Sequence, residues 1–433
     1  MHKSLDFLIS LWLAGFAAIA GPACGQEKNM TVDFYHSAPQ DVRRPAAPST
    51  TIRDGRPLSL PPGREPATGS HNQFGNSERN SRLGFPLGKA ADHPRWSSDL
   101  PSHTTAQTIL AGDGHVVIHA REGWLLFDSS GQIIRQGVGS DGDVTLDPPQ
   151  RLFYAPTNTG YVGAYSLEDG KQRYFMTPFF GNEFRRDFIL RRGAQMLILS
   201  VERPRPSHSK VPANLSVIEI QDLSRTMEIS ESGRLKSAEQ ADYLKRKTVL
   251  LLAAMHQDTL ALATEDSLSL ANANLQLKRE FTGAFEPLWL SMDELSRSYL
   301  IVKSGSGLAL WVVTPDGERV VNVSLPQDLQ PIAPPIVALD HTVYVIGANS
   351  LIAVDPLGTQ RWQKQEVSGI AGAAVTSDGR LLVATGSELV AYEAGGKRER
   401  VLLLENDAFC TAPAVGDHGE LFIAGQRRLY RIY

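Results

Sequence analysis

Apolar and polar positions alternate along this chain in a regular way. Runs of four to seven residues rich in Val, Ile, Leu and Tyr are separated by small clusters of Gly, Asp and Pro. Runs of that length and composition, bounded by turn residues, predict β-strands. From about residue 95 onward they fall into one phrase repeated roughly every 40 residues. The clearest copy is His341–Trp362, HTVYVIGANSLIAVDPLGTQRW, and Gly379–Arg400, Gln150–Tyr174 and Gly114–Gln136 repeat it. A fixed period in this range marks stacked supersecondary units, none of which buries its apolar faces alone.

Eight units are expected, starting near Thr104, Gly142, Asn182, Tyr243, Phe285, Gln330, Gly369 and Cys410. Each holds about four strand-like runs, as a four-stranded propeller blade does. The third and fourth units keep their strands in LSVIEIQDL (Leu215–Leu223) and DTLALATEDSLSLAN (Asp258–Asn272) but lose the closing turn. A count of seven follows if one of these two is an insertion. The last unit supplies only three runs, CTAPAV, GELFIAG and RRLYRIY. His93–Leu100 carries Arg95-Trp96 as the sixth unit carries Arg361-Trp362. It is therefore the expected fourth strand of the last unit, removing two exposed edges that would invite aggregation. The fold class is all-β, an eight-bladed β-propeller closed by its N- and C-terminal strands.

The phrase Val343-Tyr344-Val345, Leu351-Ile352-Ala353-Val354-Asp355, Gly358, Trp362 resembles the PQQ-like propeller repeat, VYVGS-x-x-G-x-LYALD-x-x-x-GKxxW. That family includes quinoprotein alcohol dehydrogenases and the lipoprotein of the bacterial outer-membrane barrel-assembly machinery. The resemblance covers residues 94 to 433 and rests on structural positions. It implies that Trp362, Tyr174 and Trp96 dock one blade on the next. Gly358, Gly170 and Gly395 fall where a positive φ is cheap, and Asp355 caps a turn. A quinoprotein dehydrogenase would need a quinone pocket, a calcium site, a catalytic Asp and, in many members, adjacent cysteines. The chain has two cysteines, Cys24 and Cys410, and no adjacent pair. The resemblance points to the non-catalytic branch, with no cofactor.

The first residues change the picture from fold to location. Phe7–Ala20 is a 14-residue apolar run behind His2 and Lys3, short for the roughly 20 residues that span a bilayer. Residues 1–23 are read as a signal peptide, with cuts available after Ala20 or Ala23. An uncleaved anchor is the alternative. Cys24 would then lie at or near the mature N-terminus, where a bacterial lipoprotein carries its lipid, although Gly21 stands in place of the usual Leu. Residues 24–92 form a Pro/Arg/Ser-rich linker. Between Pro39 and Gly88 there are eight prolines, with seven arginines against four acids, a net of +3. So few apolar residues cannot offset the entropy of ordering. The propeller is assigned to 93–433. Localisation is expected in the periplasm or at the outer membrane or cell surface, with the membrane touched only through the N-terminal anchor.

Charge and motif chemistry add little that is catalytic. A net charge of −4 gives no sign of nucleic-acid binding. Gly170-Lys171 and Gly396-Lys397 lack the rest of a phosphate loop. His115 and His119 are four apart on a predicted strand, about 13 Å, too far for one metal. Asp141-Gly142-Asp143 lacks the alternating carboxylates of a calcium loop. No catalytic or metal residue is assigned, and Cys410 is read as a buried small hydrophobe. The third unit departs most from the repeat. FRRDFILRR (Phe184–Arg192) sets Arg185, Arg186, Arg191 and Arg192 around an apolar strand. A loop with Arg203, Arg205 and Lys210 follows, and Ser230–Lys247 is expected to form a short helix. Loops on rigid scaffolds gather binding residues. The expected function is therefore a monomeric scaffold whose basic blade meets an acidic envelope protein or anionic polymer. A quinoprotein-type oxidoreductase and a carbohydrate- or polymer-binding propeller are the alternatives.

Overall fold

The computed structural model describes residues 83–84 and, with short gaps, 94–432. The longer stretches outside the description are 1–82, 85–93, 203–214 and 221–249. Between 174 and 258 the strands are described by their backbone. Among the described residues there are only strands. β1 (Leu83–Gly84) and β2 (Trp96–Asp99) come first, followed by a sheet of β3 (Ala106–Gly112), β4 (His115–Ala120), β5 (Gly123–Phe127) and β6 (Ile133–Val138). The second sheet is β7 (Thr145–Asp147), β8 (Leu152–Pro156), β9 (Val162–Ser166) and β10 (Gln172–Met176). The third is β11 (Phe184–Arg192), β12 (Gln195–Glu202) and β13 (Leu215–Ile220). The fourth is β14 (Leu250–His256), β15 (Thr259–Thr264), β16 (Ser267–Asn272) and β17 (Leu277–Thr282). The fifth is β18 (Phe285–Met292), β19 (Ser298–Ser304), β20 (Gly307–Val313) and β21 (Arg319–Ser324). The sixth is β22 (Ile336–Val337), β23 (Val343–Ile346), β24 (Ser350–Val354) and β25 (Gln360–Gln365). The seventh is β26 (Gly372–Thr376), β27 (Leu381–Thr385), β28 (Glu388–Tyr392) and β29 (Arg398–Leu403). The last is β30 (Ala414–Val415), β31 (Leu421–Ala424) and β32 (Arg428–Arg431).

Each sheet is an antiparallel meander, and two strands join from far away in sequence. β2 completes the last sheet by pairing with β32, Trp96 opposite Arg431 and Asp99 opposite Arg428. Arg428 Nε donates to Asp99 at 2.7 Å on the exposed edge of that pair. β1 runs parallel to β26, Leu83 opposite Val375.

The core lies between sheets. The apolar clusters each mix residues of consecutive sheets: first with second, fourth with fifth, fifth with sixth, sixth with seventh, seventh with last. One more cluster joins Ala414, Phe422 and Leu429 of the last sheet to Ile109, Val116 and Phe127 of the first. Sandwiched middle strands are therefore buried on both faces, as in β23 (VYVI) and β24 (SLIAV), and both read as unbroken apolar runs. Fourth strands keep an open face, and β25 (QRWQKQ) alternates. First strands of several adjacent sheets lie against one another, including β11 with β14 and β22 with β26.

A single hairpin recurs. Asp128 N–H donates to Gln132 O, and Gly131 N–H donates to Asp128 O. The same pair of bonds closes 293–297, 314–318, 338–342, 355–359, 376–380 and 393–397. This is a three-residue loop with its last residue left-handed, a position suited to Gly. Gly131, Gly317, Gly358, Gly379 and Gly396 fill it with φ between 81° and 87°. Ser296 and His341 hold the same position at 58° and 62°. Gly396, not Gly395, takes the positive φ in the seventh sheet, because the turn begins at Glu393 and its fourth residue is 396. At the first position an acid often anchors the loop. Asp355 Oδ1 accepts from the N–H groups of Leu357 and Thr359.

That glycine is also where sheets dock. A Cβ on Gly131 would lie 2.7 Å from the ring of Trp96, whose indole N–H donates to Ser129 O at 3.1 Å. A Cβ on Gly396 would lie 3.0 Å from Trp362, which donates to Ala394 O at 2.9 Å. Elsewhere the stem of Arg135 covers Gly170, Arg279 covers Gly317, and Val321 covers Gly358. Long Arg stems bury apolar surface while their heads stay wet, so the slot accepts Trp, Arg or Val. Tyr174 pairs with Ala164 in β10 and β9, and its side chain lies outside the described residues.

Candidate functional site

The third sheet is where sequence departs most from the repeat, and the backbone now orders its charges. β11 forms an edge, with β12 on one side. Arg186 stands opposite Val201, whereas Arg191 and Arg192 stand opposite Met196 and Gln195, next to the hairpin. Six positions separate Arg186 from Arg192, about 20 Å along a strand. The four arginines are thus two pairs at opposite ends of one strand. The period of two also puts Arg186 and Arg192 on one face and Arg191 on the other. A register shift between Phe184 and Arg186 sets Arg185 in a bulge.

The connections sort by end as well. Phe184 is opposite Glu202, so the chain leaves toward Arg203, Arg205 and Lys210 from the end that holds Arg185 and Arg186. Ile220 is opposite Met196, so residues 221–249 leave from the Arg191–Arg192 end. Those three basic residues, the helix expected in Ser230–Lys247, the Asp141-Gly142-Asp143 turn and Cys24 all lie outside the described residues.

Groups that could do proton chemistry are engaged structurally. Asp293, 1% exposed, accepts at Oδ1 from the N–H groups of Leu295 and Arg297. Its Oδ2 accepts from Arg297 Nε at 2.7 Å and the Tyr299 hydroxyl at 2.8 Å, with His341 Nδ1 3.7 Å away. A carboxylate so filled clamps the turn of the fifth sheet to that of the sixth and has little acceptor capacity left. Asp340 would be pushed up by burial, but the N–H and hydroxyl of Thr342 and the guanidinium of Arg361 hold it below the usual carboxylate range.

Glu366 behaves in the opposite way. Burial raises its pKa above the usual range despite Arg398 Nε at 3.6 Å, and the Glu388 charge adds to the rise. The Tyr392 hydroxyl donates to Glu366 Oε1, and Glu366 N–H donates to Asn349 O at 2.8 Å. Arg398 also donates to Glu388 at 2.7 Å. This network spans the sixth and seventh sheets and explains the perturbation without a ligand. Cys410 Sγ donates to Gly425 O at 3.1 Å, and burial, with the Asp407 charge, pushes its thiol up to about 11. A thiol held protonated is a poor nucleophile.

His115 and His119 both lie on β4. The ring of His115 donates to Asp113 O at 2.7 Å, and His119 is buried. Lys171 and Lys397 sit in blade turns beside Asp169 and Glu393, at 3.4 and 3.5 Å. A quinone needs open aromatic faces and oxygen ligands for its calcium. Trp96 and Trp362 instead cover the turn glycines of neighbouring sheets, and Trp124 packs with Phe153 at 4.8 Å and Tyr165 at 4.7 Å. The residues described do not fit that group. Sequence reasoning missed Arg135, Arg279 and Val321 as docking residues. The signal lay in their spacing, since Arg135 and Val321 follow a turn glycine by four, as Trp362 does.

No protein-family model and no curated protein matches the sequence. Solved structures do match. BamB from Moraxella catarrhalis aligns with a TM-score of 0.51 at 10% identity, over 78% of this chain and 99% of its own. Quinohemoprotein alcohol dehydrogenase from Comamonas testosteroni aligns with a TM-score of 0.57 at 12% identity, over 84% and 80%. The computationally designed Ika8 protein aligns with a TM-score of 0.54 at 12% identity, over 77% and 98%. The chain is therefore a β-propeller. That is the fold implied by the resemblance of its repeat to the PQQ-like one.

Proposed function

We propose that this chain is an exported, non-catalytic propeller of eight blades that serves as a protein-binding scaffold in the cell envelope. The observation that carries the reading is the third sheet. It sets two arginine pairs at opposite ends of one strand, each beside a long connection that the other repeats lack. The match to BamB over 99% of that chain supports a scaffold rather than an enzyme. Eight sheets among the described residues, cores shared between neighbours and the β2–β32 pair support a ring of eight blades zipped through the last one. Phe7–Ala20 supports export, and the Pro-rich 24–92 supports a spacer between a leader, or a lipid on Cys24, and the propeller.

The partner is an acidic envelope protein, met chiefly by Arg185, Arg186, Arg203, Arg205 and Lys210 at one end of the third blade. Reversing Arg203, Arg205 and Lys210 to Glu abolishes recovery of that partner when the protein is purified from its native host. Undiminished recovery overturns the reading. The same preparation tests export, since the mature N-terminus starts at Gly21 or Cys24. The similarity to the quinohemoprotein favours the oxidoreductase as the second reading. Reconstitution with a quinone and calcium, followed by dye reduction with primary alcohols, separates the two.

A further inference from the structure

β26 carries a strand on the edge that faces away from β27. Leu83 and Gly84 pair with Val375 and Thr376 in parallel, giving the seventh sheet five strands in the order β1-β26-β27-β28-β29. Among the described residues no other first strand is extended in this way. We propose that this edge of β26 is a docking site for an extended peptide strand, and that residues 83–84 hold it in cis. The proposal does not depend on the envelope reading.

The first strands differ in how well they can accept a neighbour. Register shifts interrupt β3, β11, β14 and β18 where they meet their second strands. Bulges twist an edge and blunt its capacity to pair. β7, β22 and β30 are three, two and two residues long, and each adjoins a proline: Pro148, Pro335 or Pro413. β26 has five residues, GAAVT, and pairs with β27 without interruption. Its ladder edge away from β27 is unbroken by a bulge or a proline. A Cβ on Gly372 would already meet the Ala412 backbone at 2.6 Å, so this sheet is packed close at its start.

The cis segment is equally selected. Proline lacks the N–H a ladder needs, and Ala67–Phe85 is the longest proline-free stretch between Pro39 and Pro94. β1 lies at its end. The partner chemistry is thus an extended, proline-free peptide with a small residue in register, recognised mainly through its main chain.

Gly84 is twelve residues from Trp96, so it stays within about 40 Å of it. A segment so tethered has an effective concentration on the order of millimolar. If it fills the edge nine times in ten, a peptide in trans binds about tenfold more weakly than to an open edge.

The experiment uses the full chain and a labelled peptide of residues 79–85, RNSRLGF. Gly84→Pro removes the donor and opens the edge; Gly69→Pro is the control. In Gly84→Pro, hydrogen exchange over residues 372–376 speeds up at unchanged melting temperature, and the peptide binds at least about tenfold more tightly than to wild type. Saturating peptide restores the lost protection. Unchanged exchange with no binding overturns the proposal. A second measurement needs no variant. In the wild type the amides of residues 83–84 exchange more slowly than those of residues 67–75, and random-coil exchange at 83–84 also overturns it.

Discussion

The docking slot makes a quantitative prediction, because two glycines share a backbone conformation and differ in surroundings. Gly379 has φ 84° and nothing within 4 Å of an added Cβ. Gly131 has φ 86°, and its Cβ would press on three ring atoms of Trp96 at 2.7 to 2.9 Å. Placing Ala at either site costs about 1–2 kcal/mol for the left-handed backbone. A stiffer unfolded chain returns up to about 1 kcal/mol, equally in both. Gly379→Ala should thus cost on the order of 1 kcal/mol. Gly131→Ala adds overpacking, about 1–3 kcal/mol, because the indole N–H bond to Ser129 O keeps the ring from sliding away. Urea unfolding of the full chain, compared at a common m-value, measures both. In a Trp96→Ala background the cost of Gly131→Ala falls back to that of Gly379→Ala, a coupling of about 1–3 kcal/mol. Equal costs in wild type, or no coupling, would refute the idea that this ring and this glycine form the sheet-to-sheet contact.

Other expectations follow from individual groups. Glu366 has a raised pKa in the fold, so its contribution is fully present below the ordinary Glu value and is lost as pH rises through the raised one. Glu366→Gln should therefore flatten that fall and melt no lower than wild type at pH 7, whereas Glu366→Ala melts lower. Asp340 has the opposite sign: its contribution is present above the ordinary Asp value and is lost as pH falls below it. Asp340→Asn should thus remove part of the acid sensitivity below pH 4 in melting curves. Cys410, with its thiol up to about 11, should resist alkylation at pH 8 in a Cys24→Ser chain and react at once when urea is added.

How far the fold could be read depended on what each residue had to do. Middle strands such as Val343–Ile346 are buried on both faces, and their apolar runs announced them. Trp96 and Trp362 were legible as docking residues because an indole has few other uses at a strand end. Arg135 and Arg279 were not, since an Arg reads as solvated until the glycine beneath its stem is seen. Gly395 and Gly396 look alike in sequence, and only the hydrogen-bond register of 393–397 separates them. The β2–β32 pair could be inferred from a missing fourth strand. β1 could not, because two residues in a polar, Pro-rich stretch carry no pattern of their own. For the basic third unit, composition identified the arginines, but only strand geometry divides them into two distant pairs.

The β2–β32 pair has a consequence for how the protein is made. Arg428 and Asp99 are 329 residues apart, so at about 5–20 residues per second the ribosome needs roughly 15–65 s to supply the second strand after the first. Through that interval β2 has an unfilled ladder. Trp96, however, contacts Ser129 and Gly131, which emerge within seconds. Early docking there would park the waiting strand against the first sheet, correctly placed and partly shielded, until its mate arrives.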